Sequence, residues 1–262
     1  MEMSSLGWPE ALMSESASLR VVLIPSLGTT GRLFDGLEAE LHRRLPQATM
    51  IRVDLPGHGT GPTAESVSVT ALADELIARL ATTLPRPTII IGVSMGGAIA
   101  LEAARRHPEQ ILGFAQINSG ARFGTADGWK DLVATVDAHG TEGLAQGSAE
   151  GWFSERFRDS EVARALVDDL AGLDDESYIA CCHALAAYDG TPGLQDIAVR
   201  ALLIGTADDR GTPSSAMRAV ADRLPHAEFV ELPAGGHLSP AEHPGEVADL
   251  IADWSRKGTE KP

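Results

Sequence analysis

Cysteine is nearly absent from this sequence: there are two in 262 residues, Cys181 and Cys182, and they are neighbours. Adjacent cysteines rarely bridge, because a disulfide needs a separation and orientation that one peptide unit scarcely provides. A disulfide framework and a cysteine-spaced metal site are therefore not expected, and a reducing, cytoplasmic setting is. Aromatic residues are few as well, at 5%, so Ala, Val, Leu and Ile must supply the core. No apolar run approaches the ~20 residues that a membrane-spanning helix needs. Met1 to Arg20 carries early acidic groups and no basic-then-apolar pattern, so it does not read as a signal peptide. Basic groups are outnumbered, 21 Lys+Arg against 37 Asp+Glu, for a formal net charge of -16. Charge of that sign repels nucleic acid and anionic membrane. The expected partner is a small molecule.

What is present is an alternation of short β-branched runs with longer helical stretches. Val21 to Ile24, Thr49 to Val53, Thr88 to Ile91, Ile111 to Ile117, Val199 to Ile204 and Glu228 to Leu232 read as strands. Phe34 to Leu45, Val69 to Leu84 (stopped by Pro85), the stretch from the glycines after Ile91 to His107, and Pro213 to Leu224 read as helices. Strands buried on both faces and separated by helices imply an α/β fold with a mostly parallel sheet flanked by helices. The rhythm breaks between residues 121 and 190, where helices and turns occur without a convincing strand. That segment is expected to be a helical cap inserted before the acid-bearing strand, with 1–120 and 191–262 forming the core. The tail after Trp254 is polar and expected to fray.

The strongest chemical signal is Gly92-Val93-Ser94-Met95-Gly96, a G-x-S-x-G sequence entered by a strand and left by a helix. A serine in so sharp a turn needs glycine or a very small residue two positions before and two after. Ser94 is the expected nucleophile, lifted above the sheet at a helix N-terminus, where the helix dipole favours developing negative charge. The bland alternative is a tight strand–helix turn with an incidental serine; the strand that enters and the helix that leaves favour the nucleophile.

A serine hydroxyl needs a base, and in this arrangement the chain order is serine, acid, histidine. His237 follows the last strand behind Gly235-Gly236 and fits that order; His58, in Gly57-His58-Gly59, precedes the elbow and reads as a loop-structuring residue. The acid belongs after Leu202-Leu203-Ile204, where Asp208 and Asp209 stand side by side. Counting forward from Gly205 favours Asp208; counting back from Thr212-Pro213 favours Asp209. Asp208 is the one adopted. The oxyanion donors are expected to be the backbone N–H groups of Met95 and of Leu27, in Pro25-Ser26-Leu27-Gly28-Thr29-Thr30.

These residues resemble a family. Ser26-Leu27-Gly28-Thr29-Thr30, the Gly57-His58-Gly59 turn, Gly92 to Gly97, Asn118-Ser119-Gly120-Ala121-Arg122, Tyr178-Ile179-Ala180-Cys181-Cys182 and Gly236-His237-Leu238-Ser239 are similar to stretches of the 3-oxoadipate enol-lactonases. The resemblance runs from about Val21 to Trp254. It implies the α/β-hydrolase fold and hydrolysis of an enol-lactone to 3-oxoadipate in aromatic catabolism, with neither metal nor organic cofactor. Such a substrate carries a carboxylate, so a cation should sit near the pocket, and Arg122 at the start of the cap is the candidate. Trp129, Trp152 and Tyr188 are candidates for its walls, against an alternative role in cap–core packing. Cys181 and Cys182 are expected to pack and not to react. Two rival readings are another hydrolase of the same fold and a ligand-binding receptor that keeps the fold without turnover.

Overall fold

The computed structural model describes residues 5–8, 19–82 and 86–257. Six strands form one sheet: β1 (Leu19–Ile24), β2 (Ala48–Arg52), β3 (Thr88–Val93), β4 (Gly113–Ile117), β5 (Arg200–Thr206) and β6 (Ala227–Leu232). Their order is β2-β1-β3-β4-β5-β6, and every adjacent pair is parallel. Each expected strand is found. β5, however, runs two residues past Ile204, which matters for the acid loop.

Parallel strands must be joined by crossovers, and helices cover both faces. Side chains alternate along each strand accordingly. Val22, Ile24, Ile90, Phe114 and Leu203 face one layer, packed with Leu72 and Leu76 of α2 (Val69–Ala81), Ile99 of α3 (Met95–Arg106) and Met217. Val21, Leu23, Ile89, Ile91, Ala115 and Ile204 face the other, packed with Leu37 and Leu41 of α1 (Asp35–Arg44) and with Val247, Ile251 and Trp254. Burying each such aliphatic side chain contributes about 1.5–3 kcal/mol against leaving it in water. The last helix, Pro244–Lys257, continues three residues beyond Trp254, so the expected fraying does not begin there. Pro85, the expected terminator of α2, lies outside the described residues.

Four helices fill the excursion between β4 and β5: α4 (Ala126–His139), α5 (Glu142–Trp152), α6 (Glu161–Ala171) and α7 (Asp175–Ala187). Thr125, Ser160 and Asp174 cap α4, α6 and α7 through side-chain oxygens, satisfying N–H groups that a helix start leaves open. The excursion lies over the C-terminal edge of the sheet. Thr30 Oγ1 donates to Asp169 at 2.7 Å, and Ser154 Oγ donates to Glu242 at 2.6 Å. Gly190 N returns to Ala121 O at 2.8 Å, closing the excursion at its base.

β1 and β3 are neighbours, but the chain leaves β1 toward β2 and leaves β3 toward β4. That divergence opens a crevice beyond the carboxyl ends of the two strands, the usual place for a ligand in an open parallel sheet.

Candidate active site

The crevice is built by the loop after β1 and the turn after β3. Ser94 sits one residue beyond β3 with φ 52 and ψ -114, a conformation that side-chain-bearing residues rarely adopt. Its backbone is over-determined: Ser94 N donates to Ile117 O at 3.0 Å, and Ser94 O accepts from Ala98 N at 3.1 Å and Ser119 Oγ at 2.7 Å. The glycine requirement is literal. A Cβ on Gly92 would lie 2.0 Å from the Gly96 carbonyl, and one on Gly96 would lie 2.2 Å from Ile24 O. Any larger residue would push the turn away from β1.

Met95 N–H is the first of α3 and has no partner within the helix. Opposite it, Thr29 N and Thr29 Oγ1 both return to Ser26 O, at 3.1 and 2.9 Å, folding the loop after β1 into a tight turn. Gly28 N–H in that turn donates to His58 Nε2 at 3.0 Å. Leu27 N–H makes no hydrogen bond among the described residues.

His58 therefore does more than shape its own loop. It is fully buried, donates from Nδ1 to Pro56 O at 2.6 Å, and stacks on Tyr178 with ring centroids 6.1 Å apart. Burial pulls its pKa down to about 4, so the ring is neutral and Nε2 is an acceptor.

His237, in the loop after β6, meets Asp209 and not Asp208. His237 Nδ1 lies 3.1 and 3.0 Å from the two carboxylate oxygens of Asp209. Asp209 also accepts from Gly211 N at 2.8 Å, Thr212 N at 3.1 Å, Thr212 Oγ1 at 2.6 Å and Asn118 Nδ2 at 2.9 Å. Burial opposes its ionisation, but the adjacent His237 and the Thr212 donors outweigh burial and hold its carboxyl below the usual range. Asp208 is exposed and accepts only a 3.3 Å contact from Gly235 N. The assignment of the acid to Asp208 is thus corrected: β5 ends at Thr206, the loop starts later than the forward count assumed, and the second aspartate turns inward. With Nδ1 turned to Asp209, the His237 ring presents Nε2 on its other side.

The aromatic and cationic candidates separate. Trp152 lies against both loops: a Cβ on Gly28 would come within 3.0 Å of its ring, and Leu238 N donates to Trp152 O at 3.1 Å. It bridges the loop carrying Leu27 and the loop carrying His237. Trp129 instead donates from Nε1 to Phe123 O at 2.9 Å and packs at the base of the excursion. Tyr188 donates to Glu102 on α3 at 3.1 Å. Arg122 is corrected as a pocket cation: its side chain is 73% exposed and its nearest carboxylate is Asp189, at 3.7 Å. It joins the two ends of the excursion and points to solvent. Cys181 and Cys182 are buried on α7, and burial pushes both thiols up to about 12, too high for a thiolate nucleophile near neutral pH.

A groove of about 800 Å³ borders the outer side of the acid loop, lined by Phe153, Ser154, Arg156, Arg158, Asp208 and Arg210 among others. Neither Ser94 nor His237 lines it. Sequence reasoning gave no role to Thr206, Thr212, Ser239 or Glu242. Glu242 accepts from Gly236 N at 2.8 Å and from Ser154 N at 3.0 Å, fastening the histidine loop to the excursion. Only Thr212, beside the helix-starting Pro213, carried a readable local signal. Among the described residues no cluster of three or more His, Cys, Asp or Glu side chains could hold a metal, and no helix is long and apolar enough to cross a membrane.

Comparison with known proteins gives a consistent result. The chain is 32% identical over 199 residues to 3-oxoadipate enol-lactonase 2 of Acinetobacter baylyi, covering 74% of each chain. It is 29% identical over 246 residues to a pimeloyl-acyl-carrier-protein methyl ester esterase of Chromobacterium violaceum, covering 89% of this chain and 92% of the relative. The crystal structure of the enol-lactonase from Burkholderia xenovorans LB400 superposes with a TM-score of 0.89 at 25% identity, covering 96% of both chains. Residues 21–250 match the Alpha/beta hydrolase family. The chain belongs to the alpha/beta hydrolase family, and is a hydrolase.

Proposed function

We propose that this hydrolase opens a small lactone or ester through a Ser94–His237–Asp209 acyl-enzyme mechanism, and that its substrate is 3-oxoadipate enol-lactone, cleaved to 3-oxoadipate in aromatic catabolism. The observation that carries the reading is the buried Asp209–His237 pair, held by Asn118 at the strand end next to the one that carries Ser94 in its strained turn. His237 Nε2 takes the Ser94 hydroxyl proton as Oγ bonds to the lactone carbonyl carbon. The carbonyl oxygen becomes an oxyanion held by Leu27 and Met95 N–H groups. Collapse breaks the ring C–O bond, and the proton passes from His237 to the departing enol oxygen. The enol, still tethered through the acyl group, ketonises. Water then gives its proton to His237, attacks the acyl carbon and releases the dicarboxylic acid, returning the proton to Ser94. Asp209 stays ionised throughout and stabilises the imidazolium.

The identity of the substrate rests on the relatives and on the loop and excursion stretches that resemble them. A cytoplasmic location accompanies this reading, with which two free, buried cysteines are compatible. The esterase relative, 29% identical over 89% of the chain, supports a second reading, cleavage of a methyl ester on a carrier-bound acid. The test is loss of the ultraviolet absorbance of the enol-lactone with purified protein, with Ser94→Ala alongside. Rapid loss abolished by the substitution supports both mechanism and substrate. No loss, with an activated ester still cleaved, retains the mechanism and discards the lactone.

A further inference from the structure

We infer that Asn118 is a positioning residue for catalysis, the single amide that fixes the acid and the histidine loop to each other; this rests on the triad reading above but not on the identity of the substrate. Asn118 lies one residue beyond β4, fully buried, with φ 43. Asn118 N donates to Ile204 O at 2.9 Å, setting the residue against the end of β5. Its side chain has three neighbours: Nδ2 donates to Asp209 at 2.9 Å and to Thr206 Oγ1 at 2.8 Å, and Oδ1 accepts from Ser239 Oγ at 2.5 Å.

The hydrogen bonds around it fix which way the amide faces. Thr206 gives its own hydroxyl hydrogen to Gly236 O at 2.9 Å, so towards Asn118 it can only accept. Asp209 is ionised and can only accept. Two acceptors on one side demand the NH2 there, which turns Oδ1 to Ser239, whose hydroxyl must then donate. Ser239 stands two residues after His237, and Gly236 one before it. The amide therefore contacts the acid directly and reaches both flanks of the histidine through one hydroxyl each. Reversing it would set Oδ1 against the Asp209 carboxylate and lose the hydrogen bonds to Asp209 and Thr206, leaving only Ser239, whose hydroxyl can accept as well as donate, with a partner.

This arrangement does two things for the reaction. It supplies a second donor, beside Thr212 Oγ1, to the Asp209 oxygen that the backbone N–H groups of Gly211 and Thr212 do not reach, and it fixes the spacing between the β5 and β6 loops on which the His237–Asp209 contact depends. A displacement of even 1 Å in such a contact is costly to a proton-transfer step.

The test is hydrolysis of p-nitrophenyl acetate by Asn118→Asp, Asn118→Gly and Ser239→Ala, with Ser94→Ala as the reference. Asn118→Asp keeps shape and tolerance of positive φ but sets a carboxyl oxygen against Asp209 in place of the donor; Asn118→Gly relieves the backbone and removes the amide without adding charge. A space-filling role predicts that the first is tolerated, and a backbone role that the second is. Positioning predicts that both lower kcat by about 10–100-fold with KM within about twofold, the size expected for a hydrogen bond to a charged group. Ser239→Ala is expected to lower kcat by roughly 3–10-fold, through an amide left free to turn. The His237 Nδ1 proton should shift or broaden in the proton NMR spectrum of all three, while thermal unfolding shows each to be folded. If either Asn118 variant is insoluble, Ser239→Ala carries the test alone. Wild-type kcat and an unchanged imidazole proton in any soluble Asn118 variant, or in Ser239→Ala, overturn the inference. Retained activity in Ser94→Ala would instead overturn the triad reading itself.

Discussion

Replacing Asp209 by Asn, with Asp208→Asn as its partner, tests the central correction that the structure makes to the sequence. Five groups donate to the Asp209 carboxylate: His237 Nδ1, Gly211 N, Thr212 N, Thr212 Oγ1 and Asn118 Nδ2. An asparagine has one acceptor oxygen, so its NH2 must face at least one of these donors in either orientation. His237 Nδ1–H then loses its acceptor or gives up its tautomer, and Nε2 ceases to be a base for Ser94. The same change in a serine hydrolase that keeps its geometry costs about 10⁴ in kcat, or about 5 kcal/mol of transition-state stabilisation. A burst assay with p-nitrophenyl acetate at neutral pH separates this loss from weaker binding. Asp208→Asn removes only the 3.3 Å contact to Gly235 N at an exposed position, and its rate should stay within about threefold of wild type. Asp208→Asn losing more activity than Asp209→Asn would refute the assignment of the acid.

His58 should make the protein acid-sensitive in a defined window. Its pKa falls from 6.5 unfolded to about 4 folded, so its contribution is complete above 6.5 and is lost as pH drops towards 4, by about 3 kcal/mol. Urea unfolding at pH 7 and pH 4.5 should show this extra loss in the wild type and a smaller one in His58→Gln; equal losses would exclude it. Gly92→Ala should yield little folded enzyme, because its Cβ would fall 2.0 Å from the Gly96 carbonyl, and normal yield and activity would contradict the elbow geometry. Arg122→Ala, at an exposed and loosely paired position, should leave kcat and KM for the enol-lactone within about twofold. A large rise in KM would return Arg122 to the pocket.

The strands were legible because burial on both faces demands unbroken β-branched runs, and Val21 to Ile24 or Thr88 to Ile91 admit few other readings. The elbow was legible because steric necessity writes itself into the chain as Gly92 and Gly96. The choice between Asp208 and Asp209 was not. Both sit in one loop, and what turns the second inward is a set of donors on Gly211, Thr212 and Asn118, the last of which is 91 residues away in the chain. Arg122 misled for a similar reason: its place near the crevice follows from the chain, but its direction is set by Asp189 at the far end of the excursion. His58 was read as shaping its own loop, and only the fold brings its Nε2 to Gly28.

Among the described residues, Ser94 and Asn118 are the non-glycine positions with positive φ, at 52 and 43. Each follows its strand by one residue, and the register of β3 on β4 pairs Val93 with Ile117 immediately before them. Strain of this kind costs about 1–3 kcal/mol per residue and survives only where the surroundings fix it. Asparagine tolerates this region better than serine does, and the supports differ to match. Ser94 is held by backbone and by Ser119, which leaves its hydroxyl free of any hydrogen bond among the described residues. Asn118 is held through its side chain, which is fully engaged. The two neighbouring strand ends thus differ: one leaves its hydroxyl untied, and the other uses every polar atom of its amide to hold Asp209 and the loops beside it.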